Sequence, residues 1–418
     1  MSYLIYVILD IDPEAWNKMM QLGRKLADER GAEADFYYTG SPRDAYTGAD
    51  YVIITIFTSG LDAMGHDLKI PEDYGIYQTV GDTVGPGGWA RGLRNMPVFA
   101  QMARDIDKYS DNAIALNYMN PMSVLTKDFC KVSGLRTVGL CHGIFEVYRL
   151  LMDISNLKSE DEIKVCFGGI NHFFRVVDMR IKGEDGYRLL SEKMNGRPFA
   201  ELVTEVYVDG VGYHSDKWVT SELLEFYGYL PYVADRHISE FLPFYLTRDI
   251  QKLEKYKLKR TPVEDRRRYK QLGMDKLNAL LAGKEKLPDK RSREIAADII
   301  DSFVNKKEII DAVNLPNTGQ VSNLPRGSIA ETLGIVNSTG FNPVRVGDLP
   351  EQILNLVMPH VINQDMIVEA GLEGDLDKAL WALYNDPLCS HLTLPEVKEM
   401  GIRLLKANKQ YLPQFTGL

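Results

Sequence analysis

Two short segments carry residue types that bind borderline or soft metal ions. Cys141 and His142 stand side by side, and His172 follows Gly169-Ile170-Asn171. Thiolate and imidazole suit a divalent transition metal. Both segments close apolar stretches that read as β-strands, so Cys141 and His172 could meet around one ion. The competing reading is a buried cysteine and a hydrogen-bonded core histidine, both common in proteins. A second group, Asp235-Arg236-His237-Ile238-Ser239-Glu240, sets four ionisable side chains between Tyr232 and Phe241. These could supply a base, an acid and an anchor for a carboxylate; a helix start capped by Asp235 would account for the aspartate alone. Asn117 and Asn120 place two amides at the end of another apolar stretch. Asp10 ends the first stretch, where an acidic residue typically holds a nucleotide ribose. The segment Gly81-Asp82-Thr83-Val84-Gly85-Pro86-Gly87-Gly88 precedes a helix bearing Arg91 and Arg94. Glycines before a helix N-terminus resemble an anion cradle, and a tight turn reads the same. No strand directly precedes them, so the dinucleotide fingerprint is not met.

The elements that must position these residues follow from periodicity. Tyr3 to Leu9 reads as a buried strand, followed by an amphipathic helix with Pro13 in its first turn and Trp16, Met19, Met20 and Leu26 on one face. Ala34–Tyr38 reads as a short strand and Tyr51–Phe57 as a strand buried on both faces. A long helix over about Trp89–Tyr109 and strands at Ala113–Asn117 and Thr137–Leu140 complete a βα alternation, which indicates a parallel sheet. Strands are expected at Val165–Gly168, Phe173–Met179, Glu308–Asn314 and Gly319–Leu324, and helices over much of Gly186–Tyr227. Three more helices are expected at Glu351–Glu369, Leu376–Tyr384 and Pro395–Ala407. The charged stretch Asp249–Lys290, with Arg266, Arg267 and Arg268 in a row, reads as a solvated helical face because acids are interleaved. The fold class is α/β: a Rossmann-like doubly wound domain over residues 1–150, then a mixed α+β domain over residues 151–418.

Composition narrows the classes. The chain has 418 residues, 45% apolar and 26% charged, with 49 basic and 58 acidic side chains for a net charge of −9. Such a balance argues against sequence-independent nucleic-acid binding. No apolar run reaches the roughly 18 residues of a membrane span, and no secretion signal is evident. Four cysteines do not make a disulfide scaffold and fit a reducing, cytoplasmic setting. Of them, Cys130, Cys166 and Cys389 read as packing residues.

The pieces together resemble glycoside hydrolase family 4, the NAD- and divalent-metal-dependent glycosidases, from about Tyr3 to the last helices. The resemblance rests on Leu9–Pro13, Gly75–Gly88, Asn117–Pro121, Cys141–Gly143, Gly169–His172, Asp235–His237 and Asn314–Pro325, in that order. The Cys-His pair resembles members acting on unphosphorylated α-glycosides, and the Gly81–Gly88 and Asp235–Pro243 blocks look most like the α-galacturonidase branch. That branch has Glu after Cys-His; Gly143 stands here, as in some α-glucuronidases. The resemblance implies oxidation at carbon 3 of the sugar by NAD, elimination across carbons 1 and 2, addition of water and reduction. It further implies that Cys141 and His172 hold Mn2+ or another divalent metal, that Asp235 is the base at carbon 2, and that His142 is an acid for the leaving group. Asn120 and Asp82 would contact substrate hydroxyls, and Arg236 or Arg91 (or Arg94) a uronate carboxylate. Asp10, with Asn117, would bind the cofactor. The implied substrate is a small oligosaccharide or uronide, and the implied assembly a homodimer or homotetramer.

One family part is lacking: a first strand, Gly-rich turn and helix ahead of the strand ending at Asp10. That unit binds the pyrophosphate. Without it, apolar sheet edges are expected to be exposed and NAD binding to be weak, whether the chain is a shortened product of a longer enzyme or a genuinely shortened relative. Other readings are an α-glucuronidase or neutral α-glucosidase or α-galactosidase of the same family, a non-catalytic sugar- or metal-binding relative, and a 2-hydroxyacid dehydrogenase. The last gives no reason for the Cys141/His172 pair.

Overall fold

The structure, a computed structural model, describes residues 4–203 and 216–418. Strand β1 (Leu4–Leu9) leads into helix α1 (Pro13–Arg30), whose first turn is capped by the Asp12 carboxylate accepting from the N–H groups of Glu14 and Ala15. Strand β2 (Ala34–Thr39) returns parallel to β1, from Leu4 opposite Ala34 to Leu9 opposite Thr39. This pair stands apart from the main sheet. Strand β3 (Tyr51–Ile54), helices α2 (Gly60–Glu72) and α3 (Gly85–Tyr109), β4 (Ile114–Asn117), α4 (Met122–Val132), β5 (Arg136–Gly139) and α5 (Gly143–Ser155) continue the alternation, with β3, β4 and β5 parallel. In a doubly wound sheet the first strand lies between the partners of β1 and β3. No described strand fills that position, and the fold is a Rossmann-like sheet without it.

The consequences are visible at both edges. Leu4, Ile5, Tyr6 and Val7 of β1 are exposed. The expectation that Tyr51–Phe57 would be a doubly buried strand is corrected: the strand ends at Ile54, and Ile53 and Phe57 are 47% and 48% exposed, because β3 is an edge.

The main sheet then changes direction. Strands β6 (Ile163–Ile170), β7 (Phe173–Ile181), β8 (Glu184–Asp185), β9 (Ile309–Pro316), β10 (Ile329–Asn337) and β11 (Gly340–Pro343) join β3–β5 in the order β3-β4-β5-β9-β10-β6-β7-β8, with β11 on β10. Beyond β5 every pairing is antiparallel. One sheet and one large apolar core thus run across residue 150. A single register row places Gly139 of β5 opposite Asn314 of β9, Asn314 opposite Glu331 of β10, and Glu331 opposite Gly169 of β6. Cys141 and His172 lie just past the ends of β5 and β6, above this row.

Gly319–Leu324 is not a strand. Asn317 holds it as a turn, donating to the carbonyls of Val321 and Leu324 and accepting from the N–H groups of Gly319 and Val321. Local side-chain bonds there replace a ladder. The helical reading of Gly186–Tyr227 holds at Gly186–Met194 and α6 (Trp218–Tyr227); residues 204–215 lie outside the described residues. The charged stretch contains helix α7 (Val263–Leu281), and the three closing helices are α8 (Glu351–Glu373), Leu376–Tyr384 and Leu394–Ala407. No described helix is long and apolar enough to cross a membrane.

Candidate active site

The glycine segment ahead of α3 is a turn whose glycine N–H groups are taken by the chain itself. Gln78 staples it, accepting from Gly87 N–H (2.8 Å) and donating to Val84 C=O (2.9 Å). Asp386 accepts from Gly85 N–H, and Glu240 accepts from the N–H groups of Val80 and Gly81. Gly85 has φ of +68°, a conformation glycine adopts without strain. The turn turns Asp82 and Thr83 into the interior, where both are buried.

Thr83 connects this turn to His172. Its hydroxyl donates to Asp82 Oδ1 (2.9 Å) and lies 3.2 Å from His172 Nδ1. A hydroxyl has one proton. With that proton on Asp82, Nδ1 of His172 must donate to Thr83, which leaves the Nε2 lone pair free. Burial first, and then the nearby His237, holds the His172 pKa well below its ordinary value, so the ring is neutral. Neutral imidazole with one nitrogen fixed by a hydrogen bond is the metal-binding form.

The His172 ring stacks on Tyr232 (centroids 5.2 Å apart, planes 12° apart) and tilts against His237 at 4.4 Å. A Cβ built on Gly143 would sit 2.7 Å from the Tyr232 ring and 3.6 Å from Cys141 Sγ. Thiol, phenol and imidazole are therefore contiguous, and the absent side chain at 143 is what admits Tyr232. Burial pushes the Cys141 thiol up, as does Glu331; the Gly143 N–H and the Asn171 amide, both bonded to the sulfur, pull it down. Those two donors suit a thiolate, which a cation beside the sulfur would favour. Among the described residues no group of three or more His, Cys, Asp or Glu side chains forms a metal cage. The chain offers Cys141 and His172, with the remaining positions open, which fits a catalytic rather than a closed structural metal.

The other expected site residues separate into two sets. Asp82 stays in the cluster: burial works to raise its pKa, but Arg91, His237, Arg266 and His172 outweigh it and hold the carboxyl at about 2. Arg91 is buried, donates from Nε to the Asn120 carbonyl (3.0 Å), and lies over Phe57. Asn120 precedes a cis peptide to Pro121, and its Oδ1 is buried without a partner among the described residues. His142, at the start of α5, is exposed and lies 3.4 Å from Glu294.

The second set is engaged elsewhere. Both oxygens of Asp235 accept bonds at the start of α6, from Val219 N–H and from the N–H and hydroxyl of Thr220. Burial raises its pKa against those bonds and Lys217. Arg236 donates to the carbonyls of Lys259 and Thr79 and to the Thr261 hydroxyl. Arg94 is locked in a bidentate buried pair with Asp67, at 2.7 and 2.6 Å. Asn117 donates to Thr126 and accepts from Met119 N–H. Asp10 is exposed and accepts from Asp12 N–H on one oxygen, which leaves the other open. Among the described residues no Gly-rich strand-to-helix turn is present to cradle a pyrophosphate. Thiol and imidazole at Cys141 and His172 suit a divalent metal.

Sequence reading missed Glu331, Tyr232 and Arg266 as site residues. Glu331 is fully buried beside Asn171 (3.5 Å) and Asn314, and burial lifts its carboxyl to about 8. An acid inside an apolar strand was the available signal, but β10 itself was not anticipated. Tyr232 was treated as a frame for the cluster, and Arg266 as one of a solvated row.

An open α/β sheet with a cysteine and a histidine just past its strand ends, next to a buried acidic turn, describes a Rossmann-like fold with a polar cluster where such sheets bind ligands. The comparisons give the family. Residues 1–157 match the family model for family 4 glycosyl hydrolases and residues 167–389 that for the family 4 glycosyl hydrolase C-terminal domain. An α-galacturonidase from Bacillus subtilis (strain 168) is 34% identical over 391 residues, covering 91% of this chain and 86% of the relative. A solved Bacillus subtilis glucosidase matches with a TM-score of 0.88 at 32% identity, covering 96% of this chain and 93% of the other. A 6-phospho-α-glucosidase from gut microorganisms, solved with NAD and Mn2+, shares the fold with a TM-score of 0.81 at 22% identity, covering 99% and 92%. The chain belongs to glycoside hydrolase family 4.

Proposed function

We propose that this chain hydrolyses α-glycosidic bonds of galacturonides or closely related uronides, with a divalent metal at Cys141 and His172. The observation that carries the chemistry is the Asp82–Thr83–His172 relay, which leaves a neutral imidazole nitrogen free in the cluster that contains the Cys141 thiol. The substrate class is supported by the α-galacturonidase relative. NAD and Mn2+, as in the solved 6-phospho-α-glucosidase, are the proposed cofactors. NAD affinity of the described chain is expected to be weak, because no Gly-rich strand-to-helix turn for the pyrophosphate is among the described residues.

The metal, when bound, supplies Lewis-acid stabilisation of negative charge on the sugar. The chain does the rest. Asn120, whose Oδ1 is buried without a partner among the described residues, and Asp82 can accept from sugar hydroxyls, and Arg91 favours the ionised form of Asp82. His142 is the proposed acid for the leaving group; its ring is exposed and lies 3.4 Å from Glu294. For the proton at carbon 2, Asp235 is the sequence-based base. His237 is a second reading, favoured by its buried, unpartnered Nδ1 and its contact with His172. Residues 1–150 would serve the cofactor and residues 151–418 the metal, substrate and a homodimeric or homotetrameric assembly, in a cytoplasmic setting without nucleic-acid partners.

The test is a screen of 4-nitrophenyl α-galacturonide, α-glucuronide and neutral α-glycosides with NAD, Mn2+ and a reductant. Turnover should favour a uronide. Preference for a neutral glycoside would reject the uronide reading. Carbon 2 exchange in deuterated water should vanish in whichever of Asp235→Asn and His237→Asn removes the base, and persist in the other.

A further inference from the structure

Three arginines follow one another in the first turns of α7, and only one faces inward. Arg267 pairs with Asp62 at 2.5 Å, and Arg268 with Asp265 at 3.3 Å; both are more than half exposed. Arg266 is half-buried, its Nε is inaccessible to water, and among the described residues that nitrogen has no hydrogen-bond partner. A buried guanidinium N–H left unmade is costly. It is placed by neighbours bound to the active-site turn. Thr261 N–H donates to the Thr79 carbonyl (3.0 Å), Arg260 Nε donates to the Gln78 carbonyl (3.0 Å), and α7 starts directly after Pro262. Arg266 is accordingly among the charges felt by Asp82, Arg91 and His237.

Of the arginines offered for a substrate carboxylate, Arg91 spends its Nε on the Asn120 carbonyl and stands by Asp82, and the other two are engaged away from the cluster. Arg94 is held by Asp67, and Arg236 by two backbone carbonyls and Thr261. At the cluster, the guanidinium groups of Arg91 and Arg266 stand near the buried Asp82, and of the two only Arg266 has an Nε without a partner among the described residues.

We infer that Arg266 is the specificity-determining residue for an acidic sugar, donating from its fork to the carboxylate at carbon 6. The inference rests on the uronide reading above and names the residue that carries it. A planar guanidinium matches a carboxylate in two parallel bonds.

The experiment is calorimetric binding in the presence of Mn2+, with galacturonate, galactose and galactose 6-phosphate as probes. It compares the unaltered chain with Arg266→Gln, Arg266→Lys and the exposed control Arg267→Gln. The unaltered chain should prefer galacturonate. Arg266→Gln should weaken galacturonate by about 10- to 100-fold and leave galactose within about threefold. Arg266→Lys should recover part of the loss, and Arg267→Gln should change neither sugar. If the preference survives Arg266→Gln, or both sugars weaken equally, the assignment to Arg266 is overturned while the uronide reading stands. If the unaltered chain shows no preference, or prefers the phosphate, the uronide reading fails and the inference fails with it.

Discussion

Thr83 decides which nitrogen of His172 is available, and it does so with a single proton. Thr83→Val keeps the shape of the side chain and removes the relay, so the ring is free to rotate or change tautomer. Mn2+ affinity should fall about 10- to 100-fold, as for other supports of metal-binding histidines; titration followed by the spin resonance of free Mn2+ would measure it. Unchanged affinity would mean that the tautomer is set otherwise. A second residue-level expectation concerns Asp128 on α4, fully buried with both oxygens unpartnered among the described residues. Burial lifts its carboxyl to about 7, against a small opposing pull from Arg104. The folded chain therefore keeps that proton while the unfolded chain loses it near pH 4. Stability from this group is lost as pH rises from about 4 to 7 and is constant above. Asp128→Asn should match the parent near pH 4 and exceed it by up to roughly 4 kcal/mol at pH 8, read from paired denaturant titrations. A gap that shrinks with rising pH would contradict this.

At the scale of elements, the active-site turn is held by the neighbouring Gln78 and by two distant residues, Glu240 and Asp386. Gly85 sits at their meeting point with φ of +68°, and a Cβ there would lie 2.8 Å from Gln78 Nε2 and from Leu388. Gly85→Ala should cost about 1–3 kcal/mol and shift Asp82 and Thr83, so metal affinity should fall together with melting temperature. Loss of stability with unchanged Mn2+ binding would show that the turn does not position the relay. What could be read in the sequence follows the same division. Strands ending at Asn117, Gly139 and Ile170 were legible because apolar runs stop at polar residues, and that placed Cys141 and His172 correctly beyond their ends. Strand β10 was not legible, because Glu331 and Thr332 interrupt its apolar pattern, and those are the residues buried under the site. Arg266 was hidden for a related reason: three like side chains in a row give no periodic signal, and only the helix rotation sends one of them inward. Asp235 and Arg236 looked free in sequence, whereas the fold gives them backbone partners far along the chain.

At the scale of the whole molecule, the sheet is in two pieces, and the facing edges of β1 and β3 are apolar and open. Open edges are templates for association. Ile53→Lys, on the exposed face of β3, should lower the aggregation rate at 37 °C, followed by light scattering, at a stability change within about 0.5 kcal/mol. An unchanged rate would place the sticky surface elsewhere, for example at Phe226 or Leu394, which are 75% and 66% exposed.

Helix α7 touches both pieces. Its far half packs on α1, where Lys25 donates to the Leu280 carbonyl (2.6 Å), while its first turns carry Arg266 beside the residues bound to the active-site turn. One rigid rod thus links the β1–α1–β2 ribbon to the group proposed to grip the substrate's charge. Thermodynamic reciprocity then applies. If steadying the ribbon tightens the acidic sugar, the acidic sugar steadies the ribbon by the same factor.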